Sequence, residues 1–180
     1  MKEVVRSGLG AVGLLVMVSG VAAGQSRIFG MGYKDIGPTI GLGGIGSTVS
    51  LGGRFETAIK QLPNLGDGAL GIQVSVQYYH NSFGAGVGKY SFSYIPIGAT
   101  LNYHIKVNDG KIDPFVGAGL GYSIVSVSGN FGGSSGSGIY FIGRGGIRYF
   151  LKDAFALYAD VGAGAATFNA GLMFRLGKAR

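Results

Sequence analysis

The sequence predicts an all-β fold: an eight-stranded antiparallel transmembrane β-barrel preceded by a cleaved signal peptide. Three observations predict it. Beyond the first two dozen residues the chain breaks into eight short segments in which apolar residues alternate with small or polar ones, the two-residue period of a strand. Glycine takes 37 of 180 positions while only 13% of residues are charged, against about a quarter in an ordinary soluble domain. No later run approaches the ~18 consecutive apolar residues of a membrane helix, so any crossing has to be made by strands.

The first element is an address. Residues 1–23 begin with Lys2 and Arg6, pass through an apolar stretch from Leu9 to Val18, and close on Val21, Ala22 and Ala23, the layout of a secretory signal peptide. Cleavage is expected after Ala23, or else after Gly24. Residues 24–38 then form a periplasmic lead-in, 39–176 the barrel and 177–180 a short tail.

The first barrel segment, PTIGLGGIG, has only Ile40 and Leu42 to define its face. The second, TVSLGGRFETAIK, alternates Val49, Leu51, Phe55 and Ile59 with Ser50, Arg54, Glu56 and Lys60, and ends at the turn residues Pro63 and Asn64. The third sets Leu70, Ile72, Val74, Val76 and Tyr78 against Gly71, Gln73, Ser75 and Gln77. In the fourth, Ile95, Ile97, Ala99, Leu101, Tyr103 and Ile105 oppose Tyr94, Pro96, Thr100, Asn102 and His104. Pro96 cannot donate to a ladder, so a bulge or a local unpaired edge is expected there. NDGKID reads as a tight turn, and the fifth segment pairs Val116, Ala118, Leu120, Tyr122 and Ile124 with Gly117, Gly119 and Gly121.

FGGSSGSG reads as a flexible loop. The sixth segment has Ile139, Phe141, Ile147 and Tyr149 opposite Tyr140, Arg144 and Arg148; the seventh has Phe155, Leu157, Ala159 and Val161 opposite Tyr158 and Asp160. The eighth alternates Phe168, Ala170, Leu172, Phe174 and Leu176 with Asn169, Gly171, Met173 and Arg175. Tight turns follow segments two, four and six, and looser links follow three and five, as in a membrane barrel.

Alternation alone does not say which face meets water. The second face is built of Gly, Ser, Ala and Thr with a few charges, which suits a narrow eight-stranded lumen better than a soluble surface. Aromatics cluster as two expected belts, Tyr78, Tyr79, Tyr90, Phe92 and Tyr94 at one rim and Tyr103, Phe115, Tyr149, Phe150 and Phe155 at the other. The oily face is therefore expected to meet lipid. Arg54, Glu56, Arg144, Arg148, Asp160 and Arg175 then fall in the lumen as a structural charge network that plugs it rather than an open pore. If Tyr149 lies opposite Phe155, Arg144 lies directly opposite Asp160, and a salt bridge is expected between them.

Composition excludes other chemistry. Without cysteine there is no disulfide framework or thiolate metal site, and His80 and His104 lie in no ligand spacing, so no metal or cofactor is expected. The formal charge of +7 is scattered, which gives nucleic acid no binding stripe.

YIPIGATLNYHI, KIDPFVGAGLGYSIV, RYFLKDAFALYADVG and the closing AGLMFRL resemble strands of the bacterial outer-membrane β-barrel domain family, the small eight-stranded OmpA-like and OmpX-like class, over roughly residues 39–176. The resemblance implies a Gram-negative outer membrane with both termini in the periplasm. It also implies contact with outer-membrane lipids and lipopolysaccharide, and biogenesis through periplasmic chaperones and the barrel-assembly machinery. Such assembly reads a closing strand that ends in an aromatic residue, whereas here Phe174 is followed by RLGKAR. A monomeric, non-enzymatic role in envelope integrity or surface contact is the expectation. Two alternatives stand beside it. His80 and Ser82 are similar to the His-x-Ser pair of outer-membrane lipid A deacylases, although no acidic residue follows before Asp109. A secreted soluble barrel, oily face inward around a small apolar ligand, is the other.

Overall fold

The computed structural model describes residues 28–44, 49–84, 90–129 and 132–177; the expected signal peptide lies outside them. Eight antiparallel strands close into a barrel in chain order: β1 (Lys34–Leu42), β2 (Val49–Leu62), β3 (Gly68–Phe83), β4 (Tyr90–His104), β5 (Ile112–Gly129), β6 (Gly132–Lys152), β7 (Phe155–Ala163) and β8 (Phe168–Gly177). The seam is β1 against β8, with Ile36 opposite Phe174 and Leu42 opposite Phe168. Closure gives every strand a neighbour on both sides over part of its length, as a strand crossing of a membrane requires.

The two faces sort as the alternation demands. Ile36, Leu51, Val74, Ile97, Leu120, Ile147, Leu157 and Leu172 all lie exposed on the outside, whereas Thr39, Arg54, Glu56, Gln73, Thr100, Asn102, Arg148, Asp160 and Asn169 are buried inside. A soluble barrel around an apolar ligand needs the reverse.

Glycine makes room for this interior. A Cβ on Gly71 would sit 2.6 Å from Glu56 Oε1 and 2.7 Å from the Phe29 ring, and one on Gly117 would overlap the Asn102 amide. Pro96 produces the unpaired edge rather than a bulge: β3 pairs with β4 at Val76–Ile97 and again at Tyr79–Tyr94 without a change of register, and the ladder lapses between.

Several expectations are corrected. β1 begins at Lys34, so residues 34–38 belong to the barrel and not to a lead-in. Most of FGGSSGSG is strand, because β6 starts at Gly132 and pairs with β5 from Gly129 downward. Of NDGKID, Asn108 to Lys111 end a longer connection over residues 105–111, and Ile112 and Asp113 already belong to β5. Lys60 leaves the lumen face at a register shift between Ala58 and Lys60 and is exposed. Of the expected belts, Tyr79, Tyr94, Phe115 and Phe150 point inward and are buried. Tyr149 opposes Leu157, not Phe155, because β6 runs on to Lys152, which pairs with Phe155 across the turn at Asp153 and Ala154.

Candidate functional site

Arg148 is the centre of the lower lumen. Its guanidinium bonds Glu56 Oε2 and reaches Asp35 Oδ2 at 3.1 Å and Asp113 Oδ2 at 3.3 Å. Arg54 bonds Glu56 from the other side, and Asn102 Nδ2 donates to Glu56 Oε1 at 2.9 Å and to Gln73 Oε1 at 3.2 Å. His104 bridges two acids, with Nε2 2.9 Å from Glu56 Oε1 and Nδ1 2.9 Å from Asp113 Oδ1. A protonated ring donates to both, and three cations then face three carboxylates.

Rings enclose the charges. Arg54 lies 4.0 Å over Tyr158, and Arg148 lies 5.1 Å from the Phe29 ring and 5.5 Å from Tyr33. Phe29 stacks on His104 at 3.5 Å, closing the terminus-side mouth, while Tyr33 donates to Asp35 Oδ2 at 2.9 Å. Arg175 is held differently, between Tyr33 and Phe150 with a 3.3 Å bond to the Ile28 carbonyl. Cations over ring faces and in carboxylate forks are what make so many buried charges tolerable.

A second polar layer lies above. Arg144 Nε donates to Asp160 Oδ1 at 2.6 Å and Nη2 to the Ala166 carbonyl at 2.8 Å; Asn169 also donates to Asp160, and Gln77 to Asn169. Between the layers is a cavity of about 20 Å³ lined by Arg54, Gln73, Tyr140, Arg144 and Asp160 among others, room for roughly one water. Tyr79, Tyr94 and Ala165 pack over the top, with Tyr140 and Val125 against them.

All six sequence-predicted lumen residues therefore face inward, in two groups. Arg54, Glu56 and Arg148 meet in the lower layer, Arg144 and Asp160 in the upper, and Arg175 stands by the mouth. Sequence reasoning missed Asp35, Asp113 and His104 as network members. Each carried a signal: Asp35 alternates with Ile36, Asp113 shares the parity of Gly117 and Gly119, and His104 shares that of Thr100 and Asn102.

The opposite end differs in kind. β7 and β8 have 9 and 10 residues, β5 and β6 have 18 and 21. β7 pairs with β6 only from Gly143 downward, so among the described residues 132–142 of β6 hydrogen-bond to β5 alone. β3–β6 thus continue past the barrel wall as an open sheet. Among the described residues, Ile139 (74% exposed) and Phe141 (82%) are the most exposed large apolar residues, just where β7 stops covering β6.

His80 and Ser82 lie on the outer side of this sheet. Ser82 Oγ is 3.3 Å from His80 Nε2, and His80 Nδ1 is 3.1 Å from Ser93 Oγ. The ring is oriented by a hydroxyl where serine hydrolases use a carboxylate.

No family model matches the sequence, and no curated protein does. Solved structures do match. The chain superposes on the N-terminal β-barrel domain of Pseudomonas aeruginosa OprF with a TM-score of 0.58 and 15% identity, covering 82% of this chain and 99% of that one. The fold is that of a small eight-stranded outer-membrane β-barrel. Ail, the attachment invasion locus protein of Yersinia pestis, solved with the heparin analogue sucrose octasulfate, matches with a TM-score of 0.51 and 13% identity over 82% of this chain and 96% of its own. The outward apolar face and the filled polar lumen of this outer-membrane-type barrel agree with that fold.

Proposed function

We propose that the chain is an integral outer-membrane protein of a Gram-negative envelope, non-enzymatic, with a closed lumen, whose projecting β3–β6 sheet makes surface contacts by accepting an extended strand. One observation carries the contact reading: on the side away from β5, residues 132–142 of β6 have no strand partner among the described residues, so that edge offers a row of N–H and C=O groups. Exposed edges are normally blunted by proline, lysine or inward charge, and this stretch contains none of them. A polysulfated ligand like that of Ail needs cations, and among the described residues the projecting sheet carries no Lys or Arg. Backbone pairing with a peptide strand suits it better. The closed lumen is supported by the buried ion-pair layers and by a cavity of about 20 Å³ between them.

Location and contact are tested separately. The chain lacks cysteine, so single cysteines report cleanly. In intact cells, Ser137→Cys reacts with a membrane-impermeant maleimide and Lys152→Cys reacts only after the outer membrane is opened; the reverse pattern contradicts the orientation. For the contact, an extended peptide of alternating Val and Thr protects amides of residues 132–142 from hydrogen exchange. Gly136→Lys, where a Cβ meets nothing within 4 Å, abolishes that protection. Protection at other strands instead removes the edge reading.

A further inference from the structure

The cations of this barrel are partitioned by type. Among the described residues every arginine (Arg54, Arg144, Arg148, Arg175) faces the lumen, and every lysine (Lys34, Lys60, Lys106, Lys111, Lys152) stands at the terminus-side rim. Physics separates the two. A planar guanidinium satisfies several buried carboxylates and rings at once, whereas an ammonium on a flexible apolar stem reaches along a lipid-facing wall to the headgroup level.

The lysines form a collar. Lys34 opens β1, Lys60 lies near the end of β2, Lys106 follows β4, Lys111 precedes β5 and Lys152 ends β6. Just inside that ring the outer wall shows Ile59, Ile105, Tyr149, Leu151 and Phe174, an apolar and aromatic band of the kind that marks a membrane interface. Lys106 is bound to Asp67 at 2.7 Å. Lys34, Lys60, Lys111 and Lys152 are exposed and have no ion-pair partner among the described residues. Of the other rim acids, Asp109 accepts from the Lys111 backbone N–H at 2.8 Å and so serves its own turn, and Asp153 is exposed.

We propose that this collar binds the phosphate headgroups of anionic phospholipids in the periplasmic leaflet, and so fixes the depth and orientation of the barrel. The proposal rests on the reading of the chain as an outer-membrane barrel with its termini in the periplasm. Several ammonium groups spread around one rim, each at headgroup height, match a ring of separate lipid phosphates rather than one polyanion. Phosphatidylglycerol presents such a phosphate with net negative charge; phosphatidylcholine presents it neutralised.

The test uses the full chain in phosphatidylcholine vesicles with spin-labelled phosphatidylglycerol or spin-labelled phosphatidylcholine as probe, and reads the motionally restricted fraction by electron paramagnetic resonance. Preference for phosphatidylglycerol is expected to be roughly fivefold at low salt and to fall toward unity at 1 M salt. Replacing Lys34, Lys60, Lys111 and Lys152 together by Gln removes the preference while the protein keeps its heat-dependent gel shift. Inorganic phosphate at matched ionic strength leaves the preference in place; if it abolishes it, the collar is a soluble-anion site and the lipid proposal falls. Equal association of the two lipids, or a preference untouched by the four changes, also overturns it. A chain that does not enter vesicles or shows no gel shift overturns the barrel reading itself, a failure distinct from insertion without lipid preference.

Discussion

Arg144 Nε lies 2.6 Å from Asp160 Oδ1 although the two residues are not cross-strand partners: Arg144 faces Gly162 and Asp160 faces Gly146. The pair is diagonal, and Gly164 leaves room beside the guanidinium, since a Cβ there would come 3.2 Å from Arg144 Nη1. Asn169 and the Ala166 carbonyl complete it. Asp160→Ala is expected to cost about 3 kcal/mol, read as a lower urea midpoint of the folded barrel in micelles. An unchanged midpoint contradicts a structural role for the pair.

Arg148 faces Glu56, Asp35 and Asp113 in a wholly buried site, so Arg148→Met strands three acids. The expected loss is larger, about 3–5 kcal/mol, and adding Glu56→Gln recovers part of it. Additive losses in the double variant would show that the two side chains do not act as a pair.

The eight strands and their faces were legible in the sequence because apolar residues alternate with small or polar ones within each segment, as Leu70, Ile72, Val74, Val76 and Tyr78 do in β3. Register was not. β6 runs on to Lys152 before it turns, so Tyr149 meets Leu157 rather than Phe155, and nothing in the alternation marks where the turn falls. Strand ends were hidden for a related reason, since the Gly/Ser run at the start of β6 carries no hydrophobic period and becomes strand only by pairing with β5. Asp35 was missed because the first segment was read from Pro38, and Asp113 because it was read into the NDGKID turn, whereas the strands begin at Lys34 and Ile112. The ion pair between Arg144 and Asp160 was anticipated, but on the wrong geometry.

Glycine tolerance separates the seam from the open wall. A Cβ on Gly37 would overlap the Leu172 carbonyl across the β1–β8 closure, while one on Gly143 meets nothing within 4 Å. Gly37→Val is therefore expected to prevent closure and abolish the heat-dependent gel shift, and Gly143→Val to leave it intact. Equal behaviour of the two variants contradicts the seam.

The closed lumen we propose predicts a barrel that does not conduct. The unaltered barrel in planar bilayers is expected to give no current steps, and Phe29→Ala alone none, because Arg148, Arg54 and their acids still fill the section behind that ring. Arg54→Ala with Arg148→Ala is expected to give small steps. Conductance in the unaltered protein contradicts a closed lumen.

Which face meets lipid decides the barrel reading, and nitroxide labels on single cysteines along β8 test it most directly. Labels at Phe168, Leu172 and Phe174, all exposed outward, are expected to collide readily with lipid-dissolved oxygen, and labels at Asn169 and Met173, both buried inward, to be shielded from it. Oxygen access at Asn169 and Met173 with shielding at the phenylalanines would contradict the account.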